Sequence, residues 1–543
     1  MNFKEEIKLG IAISLLGGLG LFLYGMNMMG DGLQKCAGEK LKKIIEFLTS
    51  NVVMGVLVGA VVTGIIQSSS ATTVMVVGFV NAGLMSLAQA IGLIMGANIG
   101  TTVTAQLVSF DLEAIAPIAL GVGIIIYLAS KKPKHKQYAE ILLGFGMLFT
   151  GMEFMKEAVD PLAELPQFRD ALIFVGNNPL LGILAGFLIT GIVQSSSASM
   201  GMLIALASQG ILPLSAALPI LYGDNIGTCV TSLISSLGAS KNAKRAALMH
   251  LTFNVIGTVL FMFIFTRPIS MVVEHLDPGN VSRQIANAHT LFNVVNVIVL
   301  LPFSKYIVKL VLKLIPVTED EQGSESTVKY IDDRMLETPG IALSNAVLEV
   351  KEMAKYAVNS LEHSVNGTLA YSQDMIDKTF ESEKKVNEMQ REVLNFLVKL
   401  SKESLNDLEH NKITNLICAV NDIERISDHG ENIAELGSAL ISQNLSFSDH
   451  AKQEIQEIFG LAVNNFKDAM ECLDEVNLEN RKRVHENEKQ VNLLEAGYRN
   501  HHLQRLNEGR CTVDAGIIYL DLLTNLERVS DHAKNISDYA YDA

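Results

Sequence analysis

A chain of 543 residues exceeds what one core organises, and a net charge of −15 argues against a nucleic-acid binder. The charge is split: residues 1–316 hold 20 Lys and Arg against 16 Asp and Glu, a net of +4, leaving −19 for residues 317–543. Cys36, Cys229, Cys418, Cys472 and Cys511 show neither C-x-x-C spacing nor a disulfide framework, so nothing suggests an oxidising compartment for the acidic part.

Residues 51–110 carry no charge, and 171–240 carry only Asp224. A soluble domain rarely forgoes surface charge for that long, whereas lipid demands it. Residues 1–316 therefore read as membrane-embedded and 317–543 as soluble. The apolar segment at 10–29 lacks a cleavage site and recurs later, so it reads as a span rather than a signal peptide.

The apolar run 52–66 has 15 residues, about 22 Å as a helix at ~1.5 Å per residue, against a hydrocarbon core of ~30 Å. It ends in Gln67-Ser68-Ser69-Ser70-Ala71, and a second apolar stretch follows at 74–84. The whole pattern returns 127 residues later: a short run at 180–193, then Gln194-Ser195-Ser196-Ser197-Ala198, then 200–211. Thr63-Gly64 matches Thr190-Gly191 at the same shift, and Gly96-Ala97-Asn98-Ile99-Gly100-Thr101 matches Gly223-Asp224-Asn225-Ile226-Gly227-Thr228. Gly25-Met26 pairs with Gly151-Met152 at a shift of 126. This is an internal duplication, with repeats over about 10–110 and 138–237. Half-length helices meeting at a polar knot suggest re-entrant hairpins or broken helices, which a bilayer tolerates only where they line a cavity.

Basic residues concentrate at 35–43, 131–136 and 241–245, while the connections at 160–170 and 267–285 are acidic or neutral. The positive-inside rule then inverts the second repeat relative to the first and returns the chain to the cytoplasm at 316. His250-Leu251-Thr252-Phe253-Asn254 is echoed by His289-Thr290-Leu291-Phe292-Asn293, read here as a helix-packing pair.

The two knots suit a small oxyanion. Helix N-termini offer unpaired N–H groups and partial positive charge, and Gln67, Ser68, Ser69, Ser70, Gln194, Ser195, Ser196 and Ser197 add donors. Neither knot holds Lys or Arg, so neutralisation falls to dipoles and co-transported cations. Oxygens of Gln67, Gln194, Thr72, Thr73, Ser199, Asn98, Thr101, Asn225 and Thr228 are suited to Na⁺. A single Ser/Thr cluster would signify helix packing; two copies at one spacing in charge-free inverted halves favour a substrate site. Asp224, opposite neutral Ala97, is a functional candidate as an intramembrane carboxylate.

The paired Gln-Ser-Ser-Ser motifs over roughly 8–316 resemble the type II sodium/phosphate cotransporter family. That resemblance implies Na⁺-driven symport of inorganic phosphate, with the motifs as the binding site. The connection between the halves is short where vertebrate members carry an extended glycosylated loop, which resembles a bacterial form in an inner (plasma) membrane.

Residues 317–339 read as a polar linker, and six helical segments follow near 341–370, 373–401, 403–441, 448–475, 478–507 and 511–541. Glu424-Arg425-Ile426-Ser427-Asp428-His429 aligns with Glu527-Arg528-Val529-Ser530-Asp531-His532 at a shift of 103. Glu424 and Asp428, like Glu527 and Asp531, lie four apart on one helix face. This pattern over roughly 335–541 resembles PhoU-type regulatory domains, which implies a carboxylate-held metal at Glu424, Asp428, Glu527 and Asp531. Such ligands suit iron, manganese or magnesium, and the resemblance also implies a part in phosphate homeostasis and negative regulation of uptake.

The expected fold is all-α: a polytopic membrane domain (1–316) of two inverted repeats with re-entrant or broken helices, a linker (317–339), and a soluble cytoplasmic domain (340–543) of two three-helix bundles. The expected partners are inorganic phosphate, Na⁺ and the lipid bilayer, with no nucleic acid; a homo-oligomer or cytoplasmic regulatory partner is left open. No P-loop, zinc-protease motif or nucleophile elbow occurs, which argues against an enzyme and against direct ATP drive. Phosphate export, transport of another oxyanion such as sulfate or arsenate, and a membrane-anchored metal-binding sensor are the competing readings.

Overall fold

The computed structural model describes residues 3–46, 51–163, 171, 174–175, 178–317, 327–473 and 478–541. The described residues are helical, with no strand among them. They fall into two compact units: one takes the chain to Ser324 plus Asp332–Ile341, the other Glu325–Ile331 plus Ala342–Ala543.

The first unit opens with α1 (Phe3–Glu46), α2 (Val52–Ile66), α3 (Ser69–Asn81), α4 (Leu87–Gly100) and α5 (Thr102–Val108). After α6 (Ala116–Ala129), the repeat returns as α7 (Pro133–Ala163), α8 (Pro179–Val193), α9 (Ser196–Ser208), α10 (Leu214–Gly227) and α11 (Cys229–Ser235). Then come α12 (Lys241–Leu260), a π-helical turn at Phe261–Phe265, α13 (Thr266–Leu276), α14 (Val281–Leu300) and α15 (Ser304–Leu314).

Glycine decides how these helices meet. In α4, a Cβ on Gly92, Gly96 or Gly100 would run into the carbonyls of Val52, Val56 and Ala60, so α2 and α4 lie parallel in backbone contact. Because α4 starts level with the start of α2, α3 must run back, and α2–α3 is a hairpin. The second repeat does the same: Gly223 meets the Ile183 carbonyl and Gly227 the Phe187 carbonyl. The repeat-related helices α1 and α7 pack antiparallel, Gly18 against Gly151 and Gly25 against Gly144, as inversion of one half relative to the other requires.

Among the described residues, five helices are long and apolar enough to cross a membrane: Gly10–Ala37, Leu87–Val108, Pro133–Pro161, Lys241–Leu276 and Val281–Leu314. Large apolar side chains point outward along this unit, with Leu128, Phe263 and Ile192 each more than three-quarters exposed. Such a surface is stable against lipid and not against water. The core beneath joins both repeats, with Phe22, Phe149, Met155, Ile204, Tyr222, Phe261 and Phe292 buried together.

Residues 318–326 of the expected linker, and 164–170 of the expected outer connection, lie outside the described residues. Part of that linker is not a free spacer. Asp332 accepts from Asn81 Nδ2 at 2.6 Å, Arg334 Nε donates to the Ser235 carbonyl at 2.6 Å, and Met335 is fully buried. Both partners sit at helix C-terminal ends, where backbone carbonyls lack acceptors' usual donors and recruit an arginine.

The second unit holds, from Ala342 on, α16 (Pro339–Ala370), with α17 (Gln373–Leu400), α18 (Asp407–Ser442), α19 (Asp449–Cys472), α20 (Leu478–Asn507) and α21 (Val513–Tyr541). Proline at the start of α16 suits a first turn whose N–H groups have no partner within the helix. α16 to α18 form one three-helix bundle and α19 to α21 another, joined along α18 and α21. Ile433, Leu440, Ile455, Ile458, Val491, Leu522 and Leu526 share the core that spans both bundles.

Candidate functional site

At each motif, sequence and backbone correspond residue by residue. Gln67 closes α2 in the left-handed region (φ 61°), and Gln194 closes α8 there too (φ 56°). Each donates its backbone N–H to a threonine carbonyl at 2.7 Å, Thr63 and Thr190 respectively. The next residue is extended and caps the following helix: Ser68 Oγ accepts from Ala71 N at 3.1 Å, and Ser195 Oγ from Ala198 N at 3.2 Å. Ser69 and Ser70, like Ser196 and Ser197, then occupy a first helical turn whose N–H groups have no carbonyl within the helix. Two helix N-termini carrying hydroxyls are thus built identically in two inverted halves, an arrangement fitted to an anion.

The surrounding polar side chains are less symmetric. In the first repeat Gln67 is buried: its amide nitrogen donates to the Gly64 carbonyl, and its oxygen accepts from Thr104 Oγ1 at 2.9 Å. In the second, Gln194 is exposed and Thr231 Oγ1, the counterpart of Thr104, has no partner. Thr72 Oγ1 bonds the Ser68 carbonyl at 3.0 Å and receives Thr63 Oγ1 at 2.9 Å, while Thr73 Oγ1 bonds the Ser70 carbonyl at 3.1 Å. Ser199 is buried and its hydroxyl has no partner.

Asn98, Thr101, Asn225 and Thr228 are all buried. Asn98 Nδ2 donates to Asn254 Oδ1 at 3.1 Å; Asn225 Nδ2 bonds the Leu221 carbonyl at 2.9 Å, and Thr228 Oγ1 the Asp224 carbonyl at 3.1 Å. Asn254 also donates to Cys229 Sγ at 3.2 Å, so it ties the first repeat to the second. His250, one turn earlier, meets Ser232 at 3.1 Å. The first member of the His-Asn echo thus bonds across helices, whereas in the second His289 Nδ1 and Asn293 Oδ1 have no partner. α3 leans on α11, and α9 on α5, so each motif-bearing helix rests on the opposite repeat. Among the described residues no hydrogen bond joins Gln67–Ser70 directly to Gln194–Ser197.

In the second unit, Asp428 meets Glu383 and Glu431, with one oxygen of each within 4.8 Å of the others. Burial, then mutual repulsion, raises Glu383 above the usual carboxylate value; burial likewise raises Asp428 and Glu431. Burial and the neighbouring Asp428 raise Glu424. Such a crowd of acids is suited to holding protons or a cation. The second bundle differs. The counterpart of Glu431 is Lys534, which pairs with Glu488 at 3.2 Å, and Arg528 lies 3.6 Å from Glu527 and 3.8 Å from Asp531. Burial and the neighbouring Asp531 nonetheless raise Glu527, as burial and Asp428 raise Glu424. His450, Glu454 and His501 also converge, but Glu454 is taken by Arg505 at 2.8 Å and Tyr519 at 2.5 Å.

Thr104, Glu383 and Glu431 lie outside the motifs, and Thr63 and Asn254 enter only through the duplication and the His-Asn echo. Thr63 was visible as part of the duplication; Asn254 and Glu383 reach their partners from other helices, which no local spacing encodes.

Comparison with known proteins gives the family of each part of the chain. The Na+/Pi-cotransporter family profile matches residues 21–157 and 159–276, and the PhoU domain profile matches 350–437 and 455–540. The chain is similar to "Putative inorganic phosphate export protein YjbB" of Salmonella typhimurium, 23% identical over 95% of each chain. It is 33% identical to the uncharacterized protein YqeW of Bacillus subtilis, over 56% of this chain and 99% of that one. It is 30% identical to sodium-dependent phosphate transport protein 2B of Pongo abelii, over 28% of this chain and 23% of that one. The chain is a membrane protein of the Na+/Pi-cotransporter family, a family of phosphate transporters, and carries a PhoU domain in its second unit.

Proposed function

We propose that this protein couples the movement of inorganic phosphate to sodium, with phosphate held between Gln67–Ser70 and Gln194–Ser197. The observation that carries the reading is the repeated Gln-Ser turn, which ends one helix and starts another at both motifs. Four first-turn serines supply N–H and O–H donors, and the absence of Lys and Arg leaves neutralisation to cations. Thr72, Thr73, Ser199, Asn98, Thr101, Asn225 and Thr228 are the oxygen ligands we assign to sodium. Entry of each sodium down a membrane potential supplies about 2.3 kcal/mol per 100 mV.

From the positive-inside pattern we assign the PhoU domain to the cytoplasm and the membrane unit to a bacterial inner membrane. There we assign a divalent metal to Asp428 and Glu424, joined by Glu383 and Glu431, and to the Glu527–Asp531 pair a weaker hold. The domain's role is to adjust flux to phosphate status.

A second reading, export, is favoured by relatives named for phosphate export that match over 95% of the chain. Radiolabelled phosphate flux in proteoliposomes, with a sodium gradient imposed in either direction, tests both. Uptake driven by inward sodium and lost in a Ser69→Ala/Ser196→Ala variant supports symport. Efflux that needs no sodium gradient supports export. Absence of phosphate flux from folded protein overturns both.

A further inference from the structure

The two repeats share their backbone but not their charge. Where the first has Ala97, the second has Asp224 in α10. Asp224 is 1% exposed, its Oδ1 accepts from Thr190 Oγ1, and its Oδ2 has no partner. Ser199, also 1% exposed, lies near the same carboxylate, and its hydroxyl has no hydrogen-bond partner. No Lys or Arg occurs in residues 171–240, and among the described residues none pairs with Asp224 from elsewhere.

The equivalent trio in the first repeat is closed and neutral. Thr63 Oγ1 donates to Thr72 Oγ1 at 2.9 Å, and Thr72 donates to the Ser68 carbonyl at 3.0 Å. Replacing Ala97 by Asp224 draws Thr190 away from its helix-hairpin partner and leaves Ser199 open. An uncompensated carboxylate at this depth costs several kcal/mol. It must therefore be neutralised by something the chain does not supply.

We propose that Asp224, Thr190 and Ser199 form a monovalent-cation site, for Na⁺, that exists in the second repeat alone. One positive charge cancels one carboxylate; a divalent ion would leave an excess charge in the same dry pocket. The carboxylate and two hydroxyls are hard oxygen ligands. Ser199 lies two residues beyond Ser197 in the first turns of α9, so a cation here steadies the helix start that faces phosphate. This coupling to phosphate rests on the symport reading above; the cation site itself stands on the geometry.

The test is the thermal stability of the purified full-length protein at equal ionic strength, with sodium titrated against a bulky organic cation and, separately, with pH lowered. Asp224→Ala, which installs the residue of the first repeat, and Asp224→Asn are compared with the unmodified protein. Removing the charge should weaken the stabilising cation by roughly tenfold or more, the scale of a charge-assisted contact. Sodium stabilisation lost in both variants supports the site; stabilisation by acid alone overturns it. A response equal in all three proteins overturns the proposal, as does no response to sodium. Should the Asp224 variants not fold, Thr190→Val and Ser199→Ala keep the carboxylate and must still weaken the response; an unchanged response in both overturns the proposal. Phosphate flux is measured on the same preparations. Cation stabilisation that depends on Asp224 without sodium-driven flux would refute the symport reading and leave this site standing.

Discussion

Gln67 and Gln194 sit at backbone angles that usually belong to glycine, at a cost of about 1–2 kcal/mol for a side chain. A residue that only ended a helix would be better as glycine. Gln67 instead uses its amide, bonding Thr104 and the Gly64 carbonyl. Gln67→Gly should leave the melting temperature equal or higher, yet reduce phosphate flux about tenfold or more. Unchanged flux would make the glutamine a structural cap and nothing else.

At the scale of elements, backbone contact between α2 and α4 depends on the absence of one atom. Gly96→Ala places a Cβ against the Val56 carbonyl, while Gly64→Ala meets only Val103 Cγ2 at 3.8 Å. The first should cost about 1–3 kcal/mol, as overpacking does, and the second far less; melting temperatures in one detergent compare them.

The acids of α17 and α18 make a second case. Manganese or magnesium added to chelator-treated protein should raise the melting temperature of the helical domain, and Glu383→Gln/Asp428→Asn should abolish the effect. An equal rise in that variant would place the metal elsewhere.

The Glu454 knot between α19, α20 and α21 gives a pH signature. Burial alone would raise this carboxyl, but hydrogen bonds from Arg505, Tyr519 and His501 outweigh it and hold it below the usual range. A depressed folded value means the stability is fully present above the unfolded value of about 4.3 and is lost as pH falls through the folded one. Glu454→Ala, which leaves Arg505 unpaired in a buried place, should cost about 3–5 kcal/mol. Denaturant melts followed by far-UV circular dichroism at neutral and acid pH read this: the variant should lose the stability step in the acid window.

For the whole molecule, the informative experiment is where to cut. Truncation after residue 341 keeps Asp332 on Asn81 and Arg334 on the Ser235 carbonyl; truncation after 317 removes both. If the PhoU domain restrains transport, both truncations should change flux. Only the shorter protein should lose thermal stability, because only it loses the clasp on the ends of α3 and α11. Equal stability would reduce the clasp to an incidental contact.

Much of this was written in local sequence. Charge-free runs imply lipid because an unpaired charge there is so costly, and a spacing repeated at 127 residues implies two matching halves. Gln-Ser at the end of a short apolar run foretold a turn between half helices, and apolar periodicity foretold the six tail helices. What local sequence could not decide was which copies stay equivalent in space. Thr190 lies beside a carboxylate where Thr63 lies beside a hydroxyl, and Gln194 is exposed where Gln67 is held. Glu383 joins Asp428 from another helix, while Lys534 neutralises the matching corner of the second bundle. Periodicity and spacing fix neighbours along one helix; the partners across helices depend on how close glycine lets two backbones come, and that only the packed structure determines.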